Sequence, residues 1–287
     1  MSPKTSLVSA LALLATAAVP ATALAGPYDK GPAPTAANLV SATGPYSVKQ
    51  TAVSNNDTPG FGAATVWSPS NAAPGETFGA IAIAPGFTEG ESAIKWLGPQ
   101  LASKGFVVAT INVNNTFIDL PNTRGKQLNF ALAYLTDLSP VKNLVDPERL
   151  GVIGHSMGGG ATFEAARTNP KIDAAVGLAP WSPSGDFSDL NTANLIVGAE
   201  NDIIAPMALH SNPFYASLAD PNPRAKIVIK GADHFVTNSK SDTVAAITTS
   251  WVKRYVDQDT RYTAALGANP LGTVAAKVQS YKTANVN

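Results

Sequence analysis

The residues with the clearest chemical potential are Gly-His-Ser-Met-Gly at positions 154–158, a serine flanked by glycines in the pattern G-x-S-x-G. A β-branched apolar run predicts a strand at residues 150–153, and a helix is predicted at residues 159–168. A serine at such a strand-to-helix turn has a strained backbone that projects its hydroxyl, and the glycines permit the turn. Chance matches to so simple a pattern occur, but this context favours Ser156 as an acyl-transferring nucleophile.

A serine hydroxyl needs a base to take its proton, and histidine is the usual base. The chain has 3 histidines. His155 is adjacent to the nucleophile on a tight turn and cannot easily reach around to it. His210 falls inside a predicted helix and is interpreted as packed or at the helix surface. His234 follows the last predicted core strand, in the base loop (residues 231–235), where the fold that carries this serine motif places its base, so we predict His234.

The acid that orients the histidine should lie between serine and histidine in the chain. The candidates are Glu200, Asp202 and Asp233. Asp233 is adjacent to His234, and neighbouring side chains diverge on an extended backbone. Asp202 lies further into its loop than Glu200 and is favoured, while Glu200 is interpreted as a solvated carboxylate. From the residues alone, the choice between these two acids remains open.

Two backbone N–H groups are expected to stabilise the oxyanion that forms during ester hydrolysis. One belongs to Met157, directly after the nucleophile, and the other to Phe87 in the oxyanion turn (residues 85–88), which follows a strand predicted at Phe78–Ala84. About fifteen residues separate Leu178 from Asn194, too few for a cap domain. We therefore predict an open, lidless cleft suited to a bulky ester. Trp181 either forms an aromatic wall opposite Phe87 or anchors its loop to the core.

The elements that must position these residues alternate between short buried strands and amphipathic helices, which predicts a mostly parallel central sheet flanked by helices. Together with the serine motif, this alternation indicates an α/β-hydrolase fold. The predicted strands are residues 64–67, 78–84, 106–113, 150–153, 174–178, 194–198 and 225–229. The predicted helices are residues 91–103, 124–138, 159–168, 207–218 and 243–256.

The first 25 residues are predicted to be a signal peptide, with Lys4, an apolar run at residues 7–19 and a small-x-small site at residues 23–25. We expect residues 26–287 to form one α/β-hydrolase domain, entered through an irregular arm at residues 26–43. A weak helical pattern at residues 273–281 is expected to pack on that domain.

The composition restricts the function classes. The 287-residue chain has a net charge of zero, which becomes −1 without Lys4, so no electrostatic feature favours nucleic acid. Cysteine is absent, which excludes disulfides, thiolate metal sites and a cysteine nucleophile. We expect a secreted monomer without a cofactor and without membrane insertion.

The order of these motifs resembles that of the bacterial cutinase-like polyester hydrolases, which include enzymes acting on poly(ethylene terephthalate). The resemblance extends from about Pro27 to Tyr281. It rests on residues 44–46, 85–87, 96–98, 154–160, 179–181, 198–205, 212–215, 231–235 and 256–263.

The resemblance implies a catalytic triad of Ser156, Asp202 and His234, with Phe87 and Met157 as oxyanion donors. It further implies a shallow aromatic-binding groove with walls formed by Phe87, Met157, Trp181 and Ile204. His155, His210 and Phe235 are similar to the cutinase-like branch of the family, which implies a Trp181 packed against a bulky neighbour and less mobile.

The chain also departs from the family pattern. The family usually has a disulfide near its C-terminus, so its absence implies lower thermal stability. Some relatives bind a divalent cation through three acids, of which Glu200 matches one, whereas Lys230 and Ser280 stand at the other two positions. We therefore predict no calcium site.

The leading hypothesis is a hydrolase of cutin-like or aromatic polyesters that also cleaves short-chain esters. A general carboxylesterase or lipase without polymer activity is the main alternative. A binding module that has lost catalysis is disfavoured, because all three triad residues are present.

Overall fold

A computed structural model of the chain describes Gly26, residues 28–267 and residues 276–286. The predicted signal peptide lies outside the described residues. The described chain forms one mixed sheet in the order β1-β2-β4-β3-β5-β6-β7-β8-β9. Its strands are β1 (Val48–Val53), β2 (Ala64–Pro69), β3 (Phe78–Ala84), β4 (Phe106–Ile111), β5 (Val145–His155), β6 (Ile172–Leu178), β7 (Ala193–Ala199), β8 (Arg224–Ile229) and β9 (Val278–Ala284).

The centre of the sheet, from β4 through β3 and β5 to β8, is parallel, and the strands at both edges are antiparallel. Parallel strands need crossover connections, which here carry the helices onto both faces. The helices are α1 (Ala36–Val40), α2 (Leu97–Ala102), α3 (Pro121–Ala133), α4 (Met157–Thr168), α5 (Ser211–Ser217) and α6 (Asp242–Tyr255). This arrangement confirms the predicted α/β-hydrolase fold.

The core forms two layers because successive strand residues point to opposite faces of the sheet. In β3, Ile81 and Ile83 contribute to the layer under α2 and α6, where Trp251 is fully buried. Ala80 and Ala82 face the layer under α3, α4 and α5. The near-continuous apolar runs in the sequence therefore reflect burial on both faces.

The loop between β6 and β7, residues 179–192, contains no helix or strand. The prediction of a lidless fold is thus confirmed, because no helix or strand is inserted between β6 and β7. None of the described helices is both long enough and apolar enough to span a membrane.

Both edge strands departed from the sequence predictions. The helical pattern predicted at residues 273–281 is wrong for residues 278–281, because β9 pairs antiparallel with β8 from Val278 onward. Residues 276 and 277 form a 3-10 turn, and residues 273–275 lie outside the described residues. β1 was not predicted. Both strands are partly exposed and contain many polar residues, so neither shows a clear alternation of apolar and polar residues. Pairing with a neighbouring strand outweighs the local secondary-structure preference of these segments.

Several helix boundaries also differ from the predictions. The predicted helix at residues 91–103 is divided into a 3-10 turn, Glu91–Ala93, and α2. α3 begins three residues earlier than predicted, because Pro121 suits a first helical turn, and it continues into a π turn at Tyr134–Leu138. The predicted helix at residues 207–218 begins only at Ser211, and the arm predicted as irregular contains α1.

Candidate active site

Ser156 lies in the turn between β5 and α4, with a positive φ of 53° and ψ of −117°. L-residues rarely adopt this backbone region, and such strain is typical of functional sites. A Cβ on Gly154 would lie 2.1 Å from the carbonyl oxygen of Gly158, and a Cβ on Gly158 would lie 2.4 Å from that of Ala84. The two glycines of the motif are therefore required by close backbone contacts around the serine.

The His234 imidazole connects the serine to an acid. Its Nε2 lies 2.9 Å from the Ser156 hydroxyl oxygen, and its Nδ1 lies 2.8 Å from an oxygen of Asp202. All three side chains are buried. If Nδ1 donates to the carboxylate, Nε2 is free to accept the serine proton, which is the arrangement required for general-base catalysis.

Asp202 remains a carboxylate in this environment. Burial alone would raise its pKa, but the hydrogen bond from His234 and the backbone N–H groups of Ala205 and Ile204 together hold the pKa below the usual range. These N–H groups donate to Oδ1 at 2.7 and 3.0 Å, which leaves Oδ2 for His234. The loop after β7 thus fixes both the charge and the direction of Asp202.

The two competing acids have other partners. Glu200 accepts the backbone N–H of Gly231 at 2.6 Å, and Asp233 accepts that of Phe235 at 3.0 Å as the cap of the 3-10 turn His234–Thr237. Neither carboxylate has a recorded hydrogen bond to the His234 ring. Geometry therefore favours Asp202, which the residues alone had not separated clearly from Glu200.

The other two histidines are packed. His210 lies just before α5, with its ring between Trp181 and Phe214 at centroid distances of 5.8 and 5.7 Å. Burial lowers the pKa of His210. His155 is fully buried, and its Nδ1 lies 2.8 Å from Glu89. Neither has a recorded hydrogen bond to the Ser156 hydroxyl.

The oxyanion turn lies beside the serine and is held by a buried arginine. Arg124 on α3 donates to the carbonyl oxygens of Pro85 and Gly86 at 2.9 and 2.8 Å. Among the described residues, the N–H groups of Phe87 and Met157 have no protein acceptor. Two such free donors next to a nucleophile are what a tetrahedral oxyanion requires.

The cleft next to Ser156 has an exposed apolar border. It is lined by Phe87, Thr88, Glu89, His155, Ser156, Ile204, His234 and Phe235. Trp181 is only partly buried and its ring contacts His210, while its backbone N–H donates to the carbonyl of Ser156 at 2.9 Å. The backbone of Trp181 is therefore hydrogen-bonded to the turn that contains Ser156. Its side chain packs against His210, the kind of bulky neighbour that the family resemblance implied.

Sequence reasoning missed two charged groups at this site. Glu89 follows the oxyanion turn and contacts His155, and Arg124 on α3 donates a hydrogen bond to a backbone carbonyl of that turn. Arg124 was placed at the start of a predicted helix without a role. No local pattern identifies either residue, because both acquire their partners from distant parts of the chain.

The described residues contain no group of three His, Cys, Asp or Glu side chains that could hold a metal ion. Glu200, the single acid that matches the family's cation ligands, accepts a hydrogen bond from the backbone N–H of Gly231. We expect the melting temperature to be the same in millimolar calcium and in chelator, as measured by differential scanning calorimetry. A rise of several degrees with calcium, but not with sodium at equal ionic strength, would contradict this prediction.

Comparison with known proteins agrees with this architecture. A profile of the PET hydrolase-like family matches residues 22–285. The chain is 48% identical to a bis(hydroxyethyl) terephthalate hydrolase of Streptomyces coelicolor, over 90% of this chain and 83% of that protein. It is 44% identical to cutinase est2 of Thermobifida alba, over 90% and 85% of the two chains. A cutinase of Thermobifida fusca is 41% identical over 97% of this chain and 90% of its own.

These matches cover nearly the whole chain, including every element that contributes to the cleft. They agree with the fold and with the family resemblance inferred from the motifs. The chain belongs to the PET hydrolase-like family of α/β-hydrolases and is a carboxylic ester hydrolase.

Proposed function

We propose that this enzyme is a secreted polyester hydrolase that also cleaves short-chain esters, with Ser156 as nucleophile, His234 as base and Asp202 as orienting acid. One observation carries the proposal. The His234 ring lies within hydrogen-bonding distance of both Ser156 and Asp202 at the floor of an open cleft. The names of the relatives, cutinase and bis(hydroxyethyl) terephthalate hydrolase, support ester substrates of this kind.

Acylation begins when Nε2 of His234 takes the proton of Ser156 and the serine oxygen attacks the ester carbonyl. The negative charge that develops on the carbonyl oxygen is stabilised by the N–H groups of Phe87 and Met157. The protonated His234, stabilised by Asp202, then gives its proton to the departing alcohol. The product is an acyl ester on Ser156.

Deacylation repeats these steps with water as the nucleophile. His234 takes a proton from water, the hydroxide attacks the acyl carbonyl, and the serine oxygen leaves with the proton that His234 returns. The acid is released and Ser156 is regenerated. No cofactor is needed for either half of the reaction.

An apolar rim (Phe87, Phe117, Ile118 and Leu120) is the feature that favours a polymer as the substrate. The rings of Phe87 and Phe117 are 6.1 Å apart, and Phe117 and Ile118 are 69% and 72% exposed. Exposed apolar side chains next to a site commonly mark a binding surface. On the other side of the cleft, Ile204 and Phe235 are about half exposed. Such a rim can rest on the surface of a solid polyester while one ester bond enters the cleft.

The rim predicts a difference between solid and soluble substrates. Replacing Phe117 and Ile118 by serine should weaken attachment to a polyester film by roughly 1 kcal/mol per side chain, about fivefold each. We expect a corresponding decrease in acid released from the film at low enzyme concentration. Hydrolysis of a soluble short-chain ester should remain within about twofold of the original rate, because Phe117 and Ile118 are not among the reacting groups.

Leu138 provides a matched control. It is 60% exposed but lies at the opposite end of the helical segment that begins at Pro121. Leu138→Ser should leave both activities unchanged. Equal losses on film and soluble ester in the Phe117→Ser, Ile118→Ser protein would show that the rim does not serve the polymer.

Export and domain organisation are also part of the proposal. The sequence pattern of residues 1–25 supports a cleaved signal peptide, and the single continuous sheet supports one domain from residue 26 onward. N-terminal sequencing of protein recovered from the culture medium tests export. The expected mature protein begins near Gly26, whereas an uncleaved protein retained in the cells would contradict it.

The substrate class is tested by measuring two reactions in parallel on the purified mature chain. Release of acid from an aromatic polyester film and hydrolysis of a soluble short-chain ester are both expected. Activity on the soluble ester alone would favour a general carboxylesterase instead of a polyester hydrolase. Activity on neither would favour a binding module without catalysis.

A further inference from the structure

We propose that Glu89 and His155 form a partly buried ion pair that positions the oxyanion turn and the base loop relative to each other. The inference deepens the proposed function and rests on it. Neither residue has a role in the acyl-transfer steps. Both are positioning residues, because they act through Phe87 and His234 rather than on the ester itself.

Glu89 is surrounded by hydrogen-bond donors. One carboxylate oxygen accepts the backbone N–H of Gly86 at 2.7 Å and lies 2.8 Å from Nδ1 of His155. The other oxygen accepts the side-chain amide of Asn238. The N–H groups of Gly86 and Asn238 both donate to the carboxylate, and an ionised carboxylate is an acceptor only. This environment therefore favours the negatively charged form of Glu89.

The surroundings of His155 determine where its protons lie. Nε2 lies 3.1 Å from the backbone carbonyl oxygen of His234, and a carbonyl can only accept, so Nε2 must carry a proton. Nδ1 faces the Glu89 carboxylate, which also accepts. With Glu89 ionised, the proposed pair requires a proton on both ring nitrogens of His155. Its side chain is 1% exposed and that of Glu89 is 14% exposed, so the imidazole is buried and the carboxylate is partly buried at the cleft.

The charges around the pair agree with this assignment. Burial alone would raise the pKa of Glu89, but its hydrogen bonds with His155, the Gly86 N–H and Asn238 together lower that pKa. The buried guanidinium of Arg124 on α3 also attracts the Glu89 charge. A buried cation with no anionic partner would be strongly destabilising, so His155 in this form requires Glu89.

The pair connects the two halves of the site. Glu89 holds the N–H of Gly86, directly before Phe87, and thereby sets the direction of the oxyanion turn. A Cβ on Gly86 would lie 2.6 Å from the Glu89 carboxylate and 3.0 Å from Ser156, so the contact is tight. On the other side, His155 holds the backbone of His234, and Asn238 ends the 3-10 turn that begins at His234. Glu89 therefore contributes to the distance between the base and the oxyanion donors, together with the Arg124 hydrogen bonds to the oxyanion turn.

The proton assignment can be tested without any ester. The chain has 3 histidines, so ¹⁵N NMR of the ring nitrogens at pH 8 gives few signals, and His210→Asn together with Ser156→Ala identifies those that do not belong to His155. We expect both nitrogens of His155 to be protonated. A singly protonated His155 in the unmodified protein would overturn the proposal, whether or not any variant folds. The spectrum is read in the resting enzyme, so failure of polyester hydrolysis would not be confused with failure of the pair.

Glu89→Gln tests the positioning role. Glutamine keeps the shape but not the charge, so His155 should lose one ring proton in the NMR spectrum. We expect kcat on a soluble ester to fall by about 10-fold while KM stays within about twofold, because misplaced groups affect the transition state more than the bound ester. An unchanged kcat, or an imidazolium that persists in the variant, would overturn the proposal.

Glu91→Gln is the matched control. Glu91 lies two residues further on and contacts Thr110 and Lys95 instead of the site. Its kcat and His155 spectrum should match those of the unmodified enzyme. The Glu89 variant should also be less stable to urea at pH 7. Because folding lowers the pKa of Glu89, this stability difference is present above the ordinary glutamate pKa of about 4.3 and disappears as the pH falls through the lower folded value. A difference that persisted in acid would contradict the ion pair.

Discussion

Replacing Ser156 by alanine is expected to lower kcat on a soluble short-chain ester by about 10⁶-fold. The variant loses the oxygen that forms the acyl-enzyme, and His234 is left without a proton to accept. The remaining turnover should come only from the oxyanion donors and from binding of the ester. The measurement is the initial rate of alcohol release at saturating ester, compared with the unmodified enzyme at equal concentration.

A suitable control is Ser250→Ala. Ser250 is buried in α6 and donates only within its own helix, to the carbonyl of Ala246 at 2.8 Å. Its variant should keep full activity, which separates loss of the nucleophile from a general effect of losing a buried hydroxyl. If Ser156→Ala retained a tenth of the original rate with an unchanged melting temperature, the nucleophile would have to be another residue.

Replacing Asp202 by asparagine should lower kcat by about 10⁴-fold. Asparagine keeps the size of the side chain but presents no carboxylate to Nδ1 of His234. The imidazole then loses the acceptor that fixes its tautomer and the negative charge that stabilises its protonated form. Because hydrogen bonds hold the pKa of Asp202 below its usual range, the carboxylate is ionised at neutral pH, where the rates are compared.

Two other variants decide between the candidate acids. Glu200→Gln and Asp233→Asn remove carboxylates that bind the backbone N–H groups of Gly231 and Phe235. Each should change kcat by no more than a few-fold. A loss of about 10⁴-fold in either, with Asp202→Asn close to the original rate, would transfer the orienting role to that residue.

The proposed nucleophile and base could be identified from sequence because their signals are local. Ser156 lies in a motif whose glycines are required by contacts within the turn itself and with the neighbouring strand end. His234 follows the last parallel strand, β8, and the chain has few histidines, so elimination was sufficient. The buried strands were equally clear, because a parallel sheet covered on both faces produces continuous apolar runs.

The acid was harder to predict because its role depends on the shape of a loop. Glu200 and Asp202 are two residues apart, and only the path of the chain after β7 shows which carboxylate faces His234. The edge strands β1 and β9 were missed for a related reason. β1 is stabilised by pairing with β2, and β9 is stabilised by pairing with β8. Such pairing leaves no signal in the local sequence of the edge strand.

Glu89 was beyond the reach of sequence reasoning. Its partners His155 and Asn238 are 66 and 149 residues away in the chain, and a single glutamate after a turn is ordinarily solvated. The packed state of His155 was likewise visible only in three dimensions. Buried polar groups that find their partners across the sheet leave no periodic signal.

The central claim, that Ser156 is the nucleophile activated by His234, is tested most directly by covalent labelling. An alkyl p-nitrophenyl phosphonate reacts when the serine oxygen attacks phosphorus, p-nitrophenolate leaves and His234 takes the serine proton. Intact-protein mass spectrometry should show one added phosphonyl group per chain, located on the peptide that contains Ser156. Ser156→Ala should remain unlabelled and His234→Ala should react far more slowly. Labelling of another residue, or equal labelling of Ser156→Ala, would contradict the account.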